Sequence, residues 1–373
     1  MLWPMSVILL AGGVAGLVLL VVGGELLVRG GSALGVRLGL SPLVVGLTIV
    51  AFATSAPELA VSVGAALRDA PGLAVGNVVG SNIVNVLLVL GLAAVILPVA
   101  ATSSLIRIDV PVLVAMSVLF LVLALDGSIS TVDGMLLLAV LVLHVAWSVW
   151  SSRRQTRAPA VGPDAVAGSD VVPAEPRLGV PMAVLVIALG IAALLGGAEL
   201  VVAAAREVAT AFGLSDLVVG LTVVAIGTSL PELATSVIAA IRGEREIAIG
   251  NVVGSGIFNI GAVMGLTAII APSRVPVDPA AVNFDLPVMV LVAVVLLPLV
   301  FTGFELARWE GVLLVAYFAA YVGYVLLDAT GHDALPVLSG TLLWFALPLT
   351  LLLLVATTSY EVGRRRERAA ARG

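Results

Sequence analysis

Long apolar runs broken by charge, glycine or proline set the rhythm of this chain. The first five cover 5–28, 42–67, 72–97, 109–125 and 132–150. A polar stretch with proline, serine and arginine, 151–178, comes next. Six more runs follow, over 180–205, 217–241, 246–271, 285–302, 310–327 and 335–357. Most are near or above the roughly 20 residues that an α-helix needs to cross a bilayer, and the longest require tilts or breaks. The pattern predicts an all-α polytopic membrane protein with eleven spans and one linker.

The first ten spans are two copies of one design. Gly46-Leu47-Thr48-Ile49-Val50-Ala51-Phe52-Ala53-Thr54-Ser55-Ala56-Pro57-Glu58-Leu59 returns 174 positions later as Gly220-Leu221-Thr222-Val223-Val224-Ala225-Ile226-Gly227-Thr228-Ser229-Leu230-Pro231-Glu232-Leu233. At the same offset, Gly76-Asn77-Val78-Val79-Gly80-Ser81-Asn82-Ile83-Val84-Asn85 returns as Gly250-Asn251-Val252-Val253-Gly254-Ser255-Gly256-Ile257-Phe258-Asn259. Asp109-Val110-Pro111 resembles Asp285-Leu286-Pro287, and Val132-Asp133-Gly134 resembles Trp309-Glu310-Gly311. The first apolar run is duplicated too: Glu25-Leu26-Leu27-Val28 becomes Glu199-Leu200-Val201-Val202. With no basic segment ahead of it, that run reads as a retained helix rather than a cleaved leader.

Five spans per copy is an odd number, so the second copy enters the membrane with opposite polarity, an inverted repeat of the kind that secondary transporters use. The expected organisation is a first five-helix repeat over 1–150 (motif 46–85), a cytoplasmic linker over 151–178 and a second repeat over 179–330 (motif 220–259). An additional C-terminal transmembrane helix with a basic tail occupies 331–373. Placing the N-terminus outside puts all arginines on the cytoplasmic side except Arg68, Arg206 and Arg274. That asymmetry satisfies the positive-inside rule and predicts a multi-pass protein of the cytoplasmic (inner) membrane with a cytoplasmic C-terminus.

Composition narrows the chemistry. The chain is 61% hydrophobic and 11% charged, with a mean hydropathy of +1.22, which excludes an ordinary soluble domain. Cysteine is absent, so thiol catalysis and thiolate metal sites are excluded. All 18 basic residues are arginine, and the net charge of −5 says little when most of the surface faces lipid.

Against this background Glu58 and Glu232 stand out. An ionisable side chain at membrane depth costs about 3 kcal/mol or more and marks a site by default. Each glutamate follows a proline, which has no N–H and frees backbone carbonyls one turn back. Thr54 and Glu58 share a helix face, as do Thr228 and Glu232; Asn77, Ser81 and Asn85 form another, matched by Asn251, Ser255 and Asn259. If these helices meet, two carboxylates converge with hydroxyls, amides and carbonyls, an oxygen-rich surface that suits hard cations such as Ca²⁺. Two negative charges balance one divalent or two monovalent cations, which is the physical basis for exchange. An intramembrane hydrolase would need a base beside Ser81 or Ser255, and the sequence offers no lysine and no histidine on those helices.

Both copies resemble the α-repeats of the cation/calcium exchanger superfamily, most closely the prokaryotic sodium/calcium exchangers. The resemblance implies a ten-helix exchanger core with alternating access by sliding of the first and sixth helices. It implies that Glu58 and Glu232 bind Ca²⁺ with the carbonyls of Thr54 and Thr228. Na⁺ would use Ser55, Ser81, Ser229 and Ser255 with the carbonyls of Ala51 and Ala225, and Asn85 and Asn259 would hold the central positions. Asn77 and Asn251 are weaker candidates, divided between ligand and helix–helix bridge. Asn259 stands where many relatives carry Asp, which leaves stoichiometry open. The implied activity is Ca²⁺ extrusion driven by Na⁺ entry, with H⁺/Ca²⁺ antiport as the alternative. Ca²⁺, Na⁺ and the lipid bilayer are the expected partners, with no nucleic acid, no obligate protein partner, no cofactor and no enzymatic reaction.

Other polar residues receive ordinary readings. Glu25 is expected to pair with Arg29, and Glu199 to sit near a helix end. Asp109, Asp285, Asp133 and Glu310 read as helix-start residues, and His144 and His332, unrepeated, as incidental.

Overall fold

The computed structural model describes residues 2–68, 72–157, 178–211 and 225–370, so most of the expected linker and the start of the second motif, 220–224, lie outside the described residues. The first repeat contains α1 (Leu2–Leu38), α2 (Pro42–Thr54), α3 (Ala56–Ala66), α4 (Gly72–Ile96), α5 (Leu105–Ala124) and α6 (Thr131–Arg157). The second contains α7 (Val180–Ala211), α8 (Ala225–Thr228), α9 (Leu230–Ile241), α10 (Arg245–Ile270), α11 (Ala281–Phe301) and α12 (Arg308–Ala329). The additional helix α13 spans Leu335–Glu367. Helix α6 runs to Arg157, past the boundary expected at 150, because nothing between Trp150 and Arg157 breaks a helix.

The predicted breaks fall at the motifs. Helices α2 and α3 meet at a bend of 43°, and the joint is Ser55, whose backbone (φ −82°, ψ 3°) leaves helical geometry. Ser229 makes the same joint between α8 and α9, with φ −91° and ψ 7°. Pro57 and Pro231 follow two residues later, where the missing N–H is harmless in the first turn of a new helix. Further on, the chain widens into π-helical turns at matching places: Asn85–Leu90 with Asn259–Met264, and Leu105–Asp109 with Ala281–Asp285. Such turns re-aim side chains and cluster at functional sites.

Helix packing shows the inverted symmetry directly. Helices α1 and α7 cross through glycines: a methyl on Gly16 would stand 2.8 Å from the Gly197 carbonyl oxygen, and one on Gly23 would stand 2.9 Å from that of Gly190. Gly190 is the repeat mate of Gly16, and Gly197 that of Gly23. Each helix therefore uses the same two positions, and the contacts run in opposite directions along the chain. The pairing of α4 with α12 (Gly91 against Gly311) is likewise the mirror of α10 with α6 (Gly265 against Gly134).

Among the described residues, four short strands complete the frame. Strand β1 (Val99–Ala100) pairs antiparallel with β4 (Glu305–Leu306), and β2 (Ser128–Ile129) pairs with β3 (Val275–Pro276). Each pair joins one repeat to the other. Helix α5 separates β1 from β2, so the two pairs close opposite ends of the bundle.

Helices α4 and α10 occupy the middle, with 72% and 78% of their most apolar stretches buried, against 11% for α12 and 6% for α13. The two helices with the GNxxGS pattern are thus the ones walled off from the surroundings, while the outer helices present apolar surface to lipid. Helix α13 docks on α11 and α12: Thr350 hydrogen-bonds Tyr317 at 2.6 Å, and Arg365 lies over Phe301 and Phe304.

Candidate ion-binding site

The two broken helices and the two central helices bring the motif residues to one place. Glu58 and Glu232 sit in the first turns of α3 and α9, directly after their breaks, and both are fully buried. Their charges lie close enough to act on one another. Ser81 faces the Glu58 carboxylate, and Thr54 and Ser55 of the first repeat face that of Glu232. Even so, no carboxylate oxygen of either residue has a protein group in hydrogen-bonding geometry.

The same holds around them. The hydroxyls of Ser55, Ser81 and Ser229, both ends of the Asn85 amide and Oδ1 of Asn259 are buried without a hydrogen-bond partner. Buried polar groups are almost always paired, so this concentration of unpaired oxygens in one spot has to be explained by what binds there. Among the described residues, no group of three or more His, Cys, Asp or Glu exists that could hold a metal. Two carboxylates supplemented by neutral oxygens make a weak-field oxygen site for a hard cation, not an imidazole or thiolate site for a transition metal.

The other polar residues hold the site together. Asn77 Nδ2 donates to the Glu58 carbonyl oxygen (3.2 Å) and to Ser62 Oγ (3.0 Å). Asn251 Nδ2 repeats this with the Glu232 carbonyl (3.4 Å) and Ser236 Oγ (2.9 Å). Each asparagine thus ties its central helix to the helix carrying the glutamate. Asn251 Oδ1 accepts from Thr54 Oγ1 at 3.1 Å, and Thr54 also meets Ser255 at 3.3 Å. Through their amide nitrogens Asn77 and Asn251 act as struts, the helix–helix bridge that was one of their two expected roles. Ser255 is buried beside Thr54 rather than unpaired. Ala51 is buried on α2, Thr228 closes α8, and the side chain of Ala225 lies outside the described set.

Three contributors escaped the sequence reading. Ser62 and Ser236 recur at the 174-residue offset and could have been found there. Asn82 has no such signal, because its mate is Gly256. Asn82 Oδ1 accepts from Asn259 Nδ2 at 3.4 Å, which leaves the Asn259 oxygen unpaired.

Outside the site, Glu310 caps α12 through the Ala307 N–H and Asp133 caps α6 through Ser130, as expected of helix-start residues. Glu25 pairs with Arg29 at 2.5 Å and also with Arg242. Asp109 and His144 behave otherwise. Asp109 is buried with His144 Nε2 3.6 Å from its Oδ1, so neither residue is incidental and Asp109 is no exposed helix start. The π-helical turn at Leu105–Asp109 rotates the carboxylate toward α6 instead of outward.

Two inverted repeats that carry a doubly acidic, all-oxygen centre between broken helices define a multi-pass membrane transporter of cations. Residues 8–150 and 182–327 match the family described as sodium/calcium exchanger protein, and the chain belongs to that family of cation/Ca²⁺ exchangers. It is 38% identical over 282 residues to inner membrane protein YrbG of Escherichia coli (strain K12), covering 76% of this chain and 85% of that protein. It is 34% identical over 335 residues to the sodium/calcium exchanger MaX1 of Methanosarcina acetivorans, covering 82% of this chain and 95% of that protein. Among solved structures, the sodium-calcium exchanger NCX_Mj superimposes with a TM-score of 0.71 at 31% identity, over 86% of this chain and 99% of that one.

Proposed function

We propose that this protein extrudes Ca²⁺ in exchange for entering Na⁺ by alternating access at the central site. The observation that carries the reading is the pair of buried, neighbouring and unpartnered carboxylates of Glu58 and Glu232. Ca²⁺ would bind between them with the Thr54 and Thr228 carbonyls. Na⁺ would use Ser55, Ser81, Ser229 and Ser255 with the carbonyls of Ala51 and Ala225, and Asn85 and Asn259 would supply the central oxygens. Either a divalent ion or two monovalent ions neutralises the site, whereas an empty doubly anionic site is costly to carry through apolar surroundings. MaX1 and NCX_Mj, by their names, exchange these same two ions.

H⁺/Ca²⁺ antiport is the second reading, favoured by the proximity of the two carboxylates, which can share a proton. The additional unpaired serine hydroxyls favour Na⁺, because a proton needs no such cage. Proteoliposomes decide between them. Vesicles loaded with Na⁺ and diluted into Na⁺-free medium at constant pH are expected to accumulate ⁴⁵Ca²⁺; uptake driven only by a pH gradient, indifferent to Na⁺, overturns the Na⁺ reading. The proposed placement has the N-terminus outside and the C-terminus in the cytoplasm of a cell whose inner membrane holds the protein. Because the chain has no cysteine, single cysteines placed in loops and labelled from outside test that orientation cleanly.

A further inference from the structure

The pseudo-symmetry makes one departure conspicuous. Asp109 and Asp285 are repeat mates, and so are His144 and Tyr321, the residues that face them. In the second repeat, Tyr321 donates a 3.0 Å hydrogen bond to Asp285 Oδ1. In the first, His144 Nε2 lies 3.6 Å from Asp109 Oδ1, beyond hydrogen-bonding distance. Asp109 Oδ2 then has no partner although the residue is 2% exposed. One turn along α6 from His144, the Ser148 hydroxyl is also unpartnered, in a residue 4% exposed.

Both groups open into a cavity of about 250 Å³ at the end of the bundle where α2 and α10 begin. Glu246, in the first turn of α10, supplies a second carboxylate to its wall. Hydroxyl residues at the starts of α2 and α5 and at the end of α6 complete the lining, and no arginine contributes. Two basic side chains at the end of α6 are engaged elsewhere: Arg153 donates to the Leu38 carbonyl, and Arg154 stacks on Trp150. None of the central ion-site residues lines this cavity. A water molecule claims about 30 Å³ in the liquid, so there is room for a cation that keeps several waters.

We propose that Asp109 and Ser148 of the first repeat and Glu246 of the second form a second site for a hard cation, with Ca²⁺ as its natural probe. Two carboxylates and a hydroxyl, all oxygen donors on rigid helices, match the preference of such an ion, and retained waters fill the remaining positions. His144 stands beside Asp109 where the second repeat has Tyr321 beside Asp285. Substituting tyrosine for this histidine, as in the second repeat, would close the site.

Equilibrium dialysis with ⁴⁵Ca²⁺ on the purified full chain tests this. Glu58→Gln/Glu232→Gln removes the central carboxylates; that protein is expected to retain about one Ca²⁺ per chain, lost on adding Asp109→Asn and weakened at least tenfold by Ser148→Ala or Glu246→Gln. Asp285→Asn, at the symmetry-related position, is expected to change nothing. Trp147 lines the cavity, so Tb³⁺ bound there should luminesce on tryptophan excitation, and Trp147→Phe should dim it. If the doubly substituted protein does not stay monodisperse, the comparison is made between the unmodified chain and Ser148→Ala. No residual Ca²⁺ in the first background, or binding indifferent to Asp109→Asn and Ser148→Ala, overturns the proposal.

Discussion

Gly197→Ala isolates the α1–α7 crossing. The added methyl would lie 2.8 Å from Gly16 O, 2.9 Å from Leu20 N and 3.0 Å from Leu19 Cβ. Two of those atoms are backbone and cannot rotate away. Ordinary carbon contacts begin at about 3.5 Å, so the helices must part by roughly 0.7 Å at a point where they otherwise touch. Overpacking of this kind costs about 1–3 kcal/mol. Alanine also gains about 1 kcal/mol over glycine in helix propensity, which would mask part of the loss. Gly196→Ala provides the correction, because a methyl on the neighbouring residue meets nothing within 4 Å. Thermal unfolding of the two variants in the same detergent should therefore differ by about 1–3 kcal/mol, some 2–6 °C in Tm, with Gly197→Ala the less stable. Gly16→Ala strains the same contact, so combining it with Gly197→Ala should cost less than the sum. If Gly197→Ala melts at or above Gly196→Ala, the close crossing is wrong.

Glu58→Gln or Glu232→Gln should each leave a folded protein whose Ca²⁺ affinity falls at least 10³-fold, since a charge interaction of about 4 kcal/mol or more disappears at 4 Å and an effective dielectric of 20; dialysis measures it, and near-normal binding in both variants would count against the site. Asn82→Ala removes the partner that orients Asn259 and should weaken Na⁺-dependent exchange about 3–10-fold, as expected of one hydrogen bond, with little change in Tm. Asn251→Ala severs links to Glu232, Ser236 and Thr54 and should destabilise by about 2–4 kcal/mol, more than Asn77→Ala, which loses two links at a half-buried position. Asn259→Asp adds a third carboxylate; an increased Na⁺ count per Ca²⁺, read from the reversal potential in voltage-clamped vesicles, is the expected outcome.

Duplication made the centre of this protein readable. A glutamate, two serines and an asparagine that each recur 174 positions on have no reason to do so in a lipid-facing helix. Hydropathy located the spans, and the odd number per copy gave the inversion that Gly16–Gly197 and Gly23–Gly190 display. Relations between non-identical mates were not readable. His144 and Tyr321 stand at matching places beside an aspartate but are different side chains, so neither looked repeated. Asn82 opposite Gly256 reads as a loss of symmetry, and its grip on Asn259 depends on a contact 177 residues away. The strand pairs are two residues long, too short for any alternation to register.

Those strand pairs divide the molecule mechanically. Residues beyond the ends of α4, α5, α10 and α11 are laced to the opposite repeat by backbone hydrogen bonds, whereas α1 and α7 carry no strand and cross through smooth glycine surfaces. The laced helices behave as a stator. A rearrangement confined to α1 and α7 would leave both strand pairs, and the helices they lace together, in place.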